Sequence, residues 1–352
     1  MFTACNDDYK DWNDPQSQPQ PDLLTVDFQA ASVNALDLRS TVADSIKIFT
    51  PTITANKPVT VTYDAIIYNE SKTDSVVVST NNDGKASTAA VQGAIMALYG
   101  ADEVQRDAPM NVTAYVNYEG TIVLKDAKGL KLTATPRYQE LPPVWYILAN
   151  CVGRGTWVNH KMALYTNTVA MYVNPFNYDE LIYASYFPAK AEFYIAPELG
   201  NKKNIIGLIN GSVAYQDDRS ADAKTPSNII IDAAGYYKIT INVKTYAVSW
   251  EPITSTVKLY TGMKTTGIDT EMQLITKAAS GENHDWLGTV TVTEDGQLVG
   301  FEGTGDDFTT KWGGKAFPAG KAALDAAGIP AKAGNYNVVF NDLLGTYRFI
   351  DK

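Results

Sequence analysis

The chain repeats itself near its end. AAGYYKITINVKTYAVSW (233–250) and KAGNYNVVFNDLLGTYRFI (332–350) align Gly235 with Gly334, Tyr237 with Tyr336, Ile239 with Val338, Ile241 with Phe340 and Asn242 with Asn341, each pair 99 residues apart. In both stretches apolar residues alternate at period two, and a short asparagine-containing turn then leads into a second aromatic run. That is the pattern of a β-hairpin closing a domain. Upstream, Phe193 aligns with Phe301 and Ile206-Gly207 with Trp312-Gly313, so one position changes from an aliphatic residue to an indole. A duplication of this length predicts two related β-domains in tandem.

The preceding third reads as a separate β unit. SIKIFT, VTVTYDAIIYN, SVVVST, MNVTAYVNYEGTIVL and LKLTATP are β-branched or aromatic runs bounded by Asn, Asp, Gly and Pro. The exception is STAAVQGAIMALYG, whose 90–98 portion has helical composition. Pro142-Pro143 cannot lie inside a paired central strand and marks a boundary. The predicted architecture is all-β: a linker at 1–21, a sandwich at 22–139, and two related β-domains at 140–254 and 255–352.

Charge and composition exclude several classes. The net charge of −10 opposes binding to nucleic acid or to an anionic lipid surface. No stretch reaches the roughly 20 apolar residues of a membrane-spanning helix. The two cysteines, Cys5 and Cys151, make no disulfide framework, and neither sits in a metal-ligand spacing with His160 or His284. No metal or cofactor is predicted. The 21 tyrosines suit strands and ligand-binding surfaces, where a ring is apolar on its faces and wet at its edge.

The opening FTACNDD, the proline/glutamine run to residue 21, a sandwich and tandem β-domains closing on AGYYKITINVKT together resemble the SusE/SusF-like lipoproteins of Bacteroidetes polysaccharide-utilisation systems. The resemblance implies that FTAC is the end of a lipoprotein signal, with Cys5 the lipidated residue and Asn6, Asp7 and Asp8 similar to a surface-export tract. Two or three acyl chains hold a protein at a bilayer where one is marginal. It further implies an Ig-like fold for 22–139 and carbohydrate-binding-module-like folds for 140–254 and 255–352, an outer-membrane location facing the cell exterior, a polysaccharide ligand with starch-like α-glucan as the default, and a TonB-dependent transporter with companion lipoproteins as partners.

Glycan recognition asks for a flat exposed ring against the apolar face of a sugar and charged or amide side chains around its hydroxyl rim. GTGDDFTTKWGGKAF (303–317) offers Trp312 between Lys311 and Gly313-Gly314, with Lys315 beyond, in a loop-like setting. Trp286 in ENHDWLG is either a second wall or a core residue, because it precedes the apparent strand GTVTV. In the middle domain Trp157, Arg154, Tyr215 and Arg219 are the candidates, while Trp145 and Trp250, at strand ends, read as core. Glycoside hydrolysis needs two carboxylates about 5–9.5 Å apart, one with a raised pKa. The adjacent pairs Asp217-Asp218 and Asp306-Asp307 read instead as turn residues, and no catalytic role is predicted. A structural reading competes with glycan binding: the protein as a spacer or adaptor.

Overall fold

The computed structural model describes residues 23–152, 168–198, 204–216, 226–274 and 284–352. Among them the only helix is α1 (Thr88–Tyr99), and strands make up the rest of the regular structure. The first strands form a five-stranded sheet in the order Leu36–Asp37, Thr121–Thr135, Arg106–Tyr118, Thr60–Tyr68, Ser75–Thr80. Its inner face follows strict alternation, with Val61, Tyr63, Ala65 and Ile67 on one strand against Ala108, Met110, Val112, Ala114 and Val116 on the next. Phe28 and Phe49, from the paired strands Val26–Ser32 and Phe49–Ala55, cover part of that face. Helix α1 covers more of it with Val91, Ala94, Ile95 and Leu98. Each fully buried aliphatic side chain contributes about 1.5–3 kcal/mol. The helix stops at Gly100, whose φ of 90° suits glycine and whose N–H donates to Met96 O.

The duplication is visible in the strand pairing. Glu180–Phe187 pairs antiparallel with Gly235–Asn242 from Glu180↔Asn242 to Phe187↔Gly235. Asp285–Val292 pairs with Gly334–Asn341 from Asp285↔Asn341 to Val292↔Gly334, the same register. Each ladder then gains a closing strand, Val248–Pro252 in the middle unit and Thr346–Asp351 in the C-terminal one. The turns agree in detail. Asn242 Oδ1 accepts the Lys244 and Thr245 N–H groups, and Asn341 Oδ1 accepts that of Leu344. Tyr246 and Gly345, at equivalent positions, have φ of 61° and 66°. Left-handed backbone is ordinary for glycine and strained for tyrosine. The Tyr246 ring is held against Tyr215, stacked at 4.3 Å, and against Trp145 at 6.1 Å. Trp145 is core as expected, but Trp250 is 39% exposed, because its strand is the edge of the sheet.

The middle and C-terminal units meet at Asp285, which is fully buried. Its Oδ1 accepts hydrogen bonds from Tyr172 Oη (3.0 Å) and Asn341 Nδ2 (2.9 Å), and its Oδ2 accepts one from Tyr183 Oη (2.7 Å). The tyrosines belong to the middle unit, so one carboxyl joins the two. Asn341 also donates to Ala184 O, and His284 and the Trp286 indole N–H both bind Asp342. At the far end of the junction Arg348 donates to the carbonyl oxygens of Pro142 and Pro143. Burial lowers the Arg348 pKa to about 10.

The C-terminal core is a train of rings. Phe301 stacks on Phe340 at 4.3 Å, Phe340 meets Trp312 at 5.2 Å, and Trp312 meets Tyr260 at 5.2 Å. Trp312 is therefore a structural residue. Removing such a side chain from a core costs about 3–5 kcal/mol. Trp312→Ala is expected to lower the thermal midpoint sharply, and calorimetry showing an unchanged midpoint would contradict its placement.

Desolvation raises the Asp285 pKa from 3.8 to about 6, against the opposing pull of Tyr183, Asn341, Tyr172 and His284. The folded protein thus holds this proton more tightly than the unfolded chain. Its stabilising contribution is complete at low pH and is lost as pH rises through the folded value. Denaturant midpoints should fall between about pH 4.5 and pH 7. Asp285→Asn, near in shape but without the titration, should remove that part of the slope, as guanidinium unfolding across pH will test.

Candidate functional site

The indole expected to be exposed, Trp312, is inside, and Trp286, a wall or a core residue by sequence, is core. Trp312 is 7% exposed and Trp286 2%. The cause is local: Thr309–Gly313 is a strand, not a loop, paired through Phe301↔Trp312 and Glu302↔Lys311. Neighbours on a strand leave opposite faces, so Lys311 and Trp312 cannot share a site. Lys311 points to solvent, with Nζ 3.2 Å from Glu302 Oε2, and Lys264 binds the other oxygen at 3.3 Å. The two lysines, Lys311 foremost, hold the Glu302 carboxyl below its usual range. Gly313 does not loosen the chain. A Cβ there would lie 1.9 Å from Ala327 O, so the glycine is required for close backbone approach. Trp286 is fixed by its indole N–H, which donates to Asp342 Oδ2 at 2.6 Å.

Of the remaining candidates, Lys315 is exposed and lines a cavity of about 330 Å3 with Met96 and Gly100 from the first unit and Pro175 and Tyr178 from the second. Tyr215 is half-buried in the ring group with Tyr246 and Trp145 rather than standing at a rim. Arg154, Trp157, Arg219 and Cys5 lie outside the described residues.

The segment 303–317 does present a ring to solvent, four residues before the one expected. Phe308, 37% exposed, ends a tight turn in which the Gly305 N–H donates to Phe308 O at 2.9 Å and Asp306 and Asp307 form the exposed tip. Gly305 lies against the ring. A Cβ at that position would come within 2.4 Å of Phe308 Cε1 and Cζ, so only glycine allows this close approach. Tyr260 supports the ring edge-on at 5.3 Å, and its own hydroxyl donates to Thr310 Oγ1 at 3.2 Å. Lys258 Nζ stands 5.5 Å from the ring centroid. The ring train of the core thus ends in a backed phenyl at the surface, with one ammonium group over the ring and the two carboxylates of the turn beside it. A ring fixed in advance loses little freedom when a ligand settles on it. The signal for this residue was a phenylalanine directly after the turn pair Asp306-Asp307. A third candidate area, the seam between the first and middle units, is built from segments distant in sequence and left no motif.

Residues 5–136 match the family model described as outer membrane protein SusF, N-terminal domain. Outer membrane protein SusF of Bacteroides thetaiotaomicron is 44% identical over 50 residues, a match that spans 13% of this chain and 10% of that protein. Its crystal structure aligns over 93% of this chain and 76% of its own, at 15% identity and a TM-score of 0.27. Over its N-terminal unit the chain is thus similar to the outer membrane protein SusF family, and its match to the SusF protein spans about a tenth of that protein's length.

Proposed function

We propose that this protein captures a polysaccharide at the cell surface for import, with the C-terminal unit holding the sugar at Phe308. The observation that carries the reading is the exposed, backed ring of Phe308 with Lys258, Asp306 and Asp307 around it. The phenyl face takes the C–H face of a pyranose, and the charged rim takes its hydroxyls. Starch-like α-glucan is the default ligand, by the resemblance of the sequence to the SusE/SusF-like lipoproteins. Cys5 is the lipid anchor, and a TonB-dependent transporter with its companion lipoproteins receives the glycan. The three β units act as domains with boundaries near residues 139 and 254. No chemistry is asked of the carboxylates.

A single aromatic stack is worth about 1–3 kcal/mol by analogy with base stacking; with the hydrogen bonds of the rim bringing the total to about 4–5 kcal/mol, one such site binds at roughly 1 mM. Many anchored copies acting on one long polymer raise its retention by about 10²–10⁴ without new contacts. Weak sites therefore serve a polymer better than a small metabolite.

The burial of Trp286 and Trp312 favours the second reading, a spacer or adaptor subunit that binds no glycan. Affinity electrophoresis separates the two. Wild-type protein is expected to be retarded by at least one of an α-glucan, β-glucan, fructan or mannan, and Phe308→Ala to lose most of that retardation with its melting midpoint unchanged. Wild-type mobility unaltered by all four polymers would support the spacer, and release of reducing sugar would point to an enzyme.

A further inference from the structure

The loop between strands Tyr172–Val173 and Glu180–Phe187 is closed on itself. Asn174 N–H donates to Glu180 O, Asn177 N–H to Asn174 O and Glu180 N–H to Asn177 O, each at 3.0 Å. The Asn174 and Asn177 side chains accept the N–H groups of Phe176 and Asp179 at 3.1 Å. The Tyr178 N–H donates to Gln139 Oε1 at 3.0 Å, tying the loop to the segment that leaves the first unit. On its other side the loop rests on helix α1 at Gly93, where a Cβ would meet Phe176 O at 2.8 Å. Buried Gln92, next in the helix, holds Arg137 through both its N–H and its carbonyl.

This framework leaves the Phe176 ring 37% exposed at the wall of a cleft of about 460 Å3 between the first and middle units. Thr41, Asp44, Thr88, Arg137 and Asn177 line it. The Thr41 and Thr88 hydroxyls donate to backbone carbonyl oxygens, so toward the cleft they act as acceptors. Arg137 brings donors, and Asn177 an amide. Arg137 and Asp44 line the cleft with opposite charges, and Asp179, also at the cleft, is paired with Lys244 at 2.7 Å. From the C-terminal unit Lys321 Nζ reaches to 6.0 Å of the same ring.

We propose that this cleft is a second carbohydrate site, in which the Phe176 ring takes a sugar face and Arg137, Asn177 and the two threonines take its hydroxyls. Charges of both signs with mixed donors and acceptors fit a neutral oligosaccharide segment; an anion would meet Asp44, and a cation Arg137 and Lys321. The ligand class rests on the reading above, but the site is built without any residue of the Phe308 turn.

Saturation-transfer NMR on the full chain tests it with maltoheptaose, cellohexaose, a fructo-oligosaccharide and mannohexaose. Phe308→Ala should still receive signal from at least one of these, and adding Phe176→Ala should weaken that binding about tenfold or more, as expected for loss of one stacking ring. Phe176→Leu, which keeps volume but lacks the flat face, should do the same in a protein whose melting curve is unchanged. Signal abolished by Phe308→Ala alone would overturn the second site while leaving the first intact. Residual signal unaffected by either Phe176 change would overturn it as well, and no signal from wild-type protein would overturn both.

Discussion

The carboxyl of Asp285 is the interaction on which the arrangement of the two repeats depends. Burying such a group is unfavourable unless its oxygens are satisfied. Here the donors come from both sides, two tyrosine hydroxyls of one repeat and an asparagine of the other. Separation of the repeats would leave Tyr172 and Tyr183 without this acceptor in a place built to exclude water. The same ladder position in the middle repeat holds Glu180, only half-buried and facing Asn242, and there it bonds Asn174 to hold a loop. One inherited position has become a junction in one copy and a loop brace in the other.

Much of the fold was legible because its strands are buried on one face and therefore alternate. Period two identified the hairpins at 235 and 334, and their identical register confirms that the shared residues mark equivalent places. The helix stood out for the opposite reason, an alanine-rich run in which only Val91 and Ile95 between 90 and 98 are β-branched. The edge position of Trp250 was not legible, since an edge strand and a central one can carry the same residues and differ only in what lies beside them.

The binding surface was harder to read for a physical reason. Trp312 and Lys311 are adjacent in sequence, and adjacency suggested a shared site, but on a strand it separates side chains instead. The glycines beside Trp312 suggested a flexible loop, whereas Gly313 makes room for the Ala326–Ala327 backbone and Gly314 for the Tyr347 and Ile329 side chains. Phe308, the ring proposed to hold the sugar, lies in the same segment as the larger ring of Trp312. The cleft at Phe176 draws on Thr41, Thr88, Arg137 and Asn177, which come together only once the units have docked.

Phe176 and Phe308 sit on different repeats, and those repeats are joined through a buried carboxyl rather than a limp connector. The separation of the two rings is thus set by the fold. Polysaccharides that coil and polysaccharides that run straight present their flat faces at different intervals. A stiff pair of landing points would act as a gauge of pitch, favouring the polymer whose own spacing matches even when each individual contact is equally good for all of them.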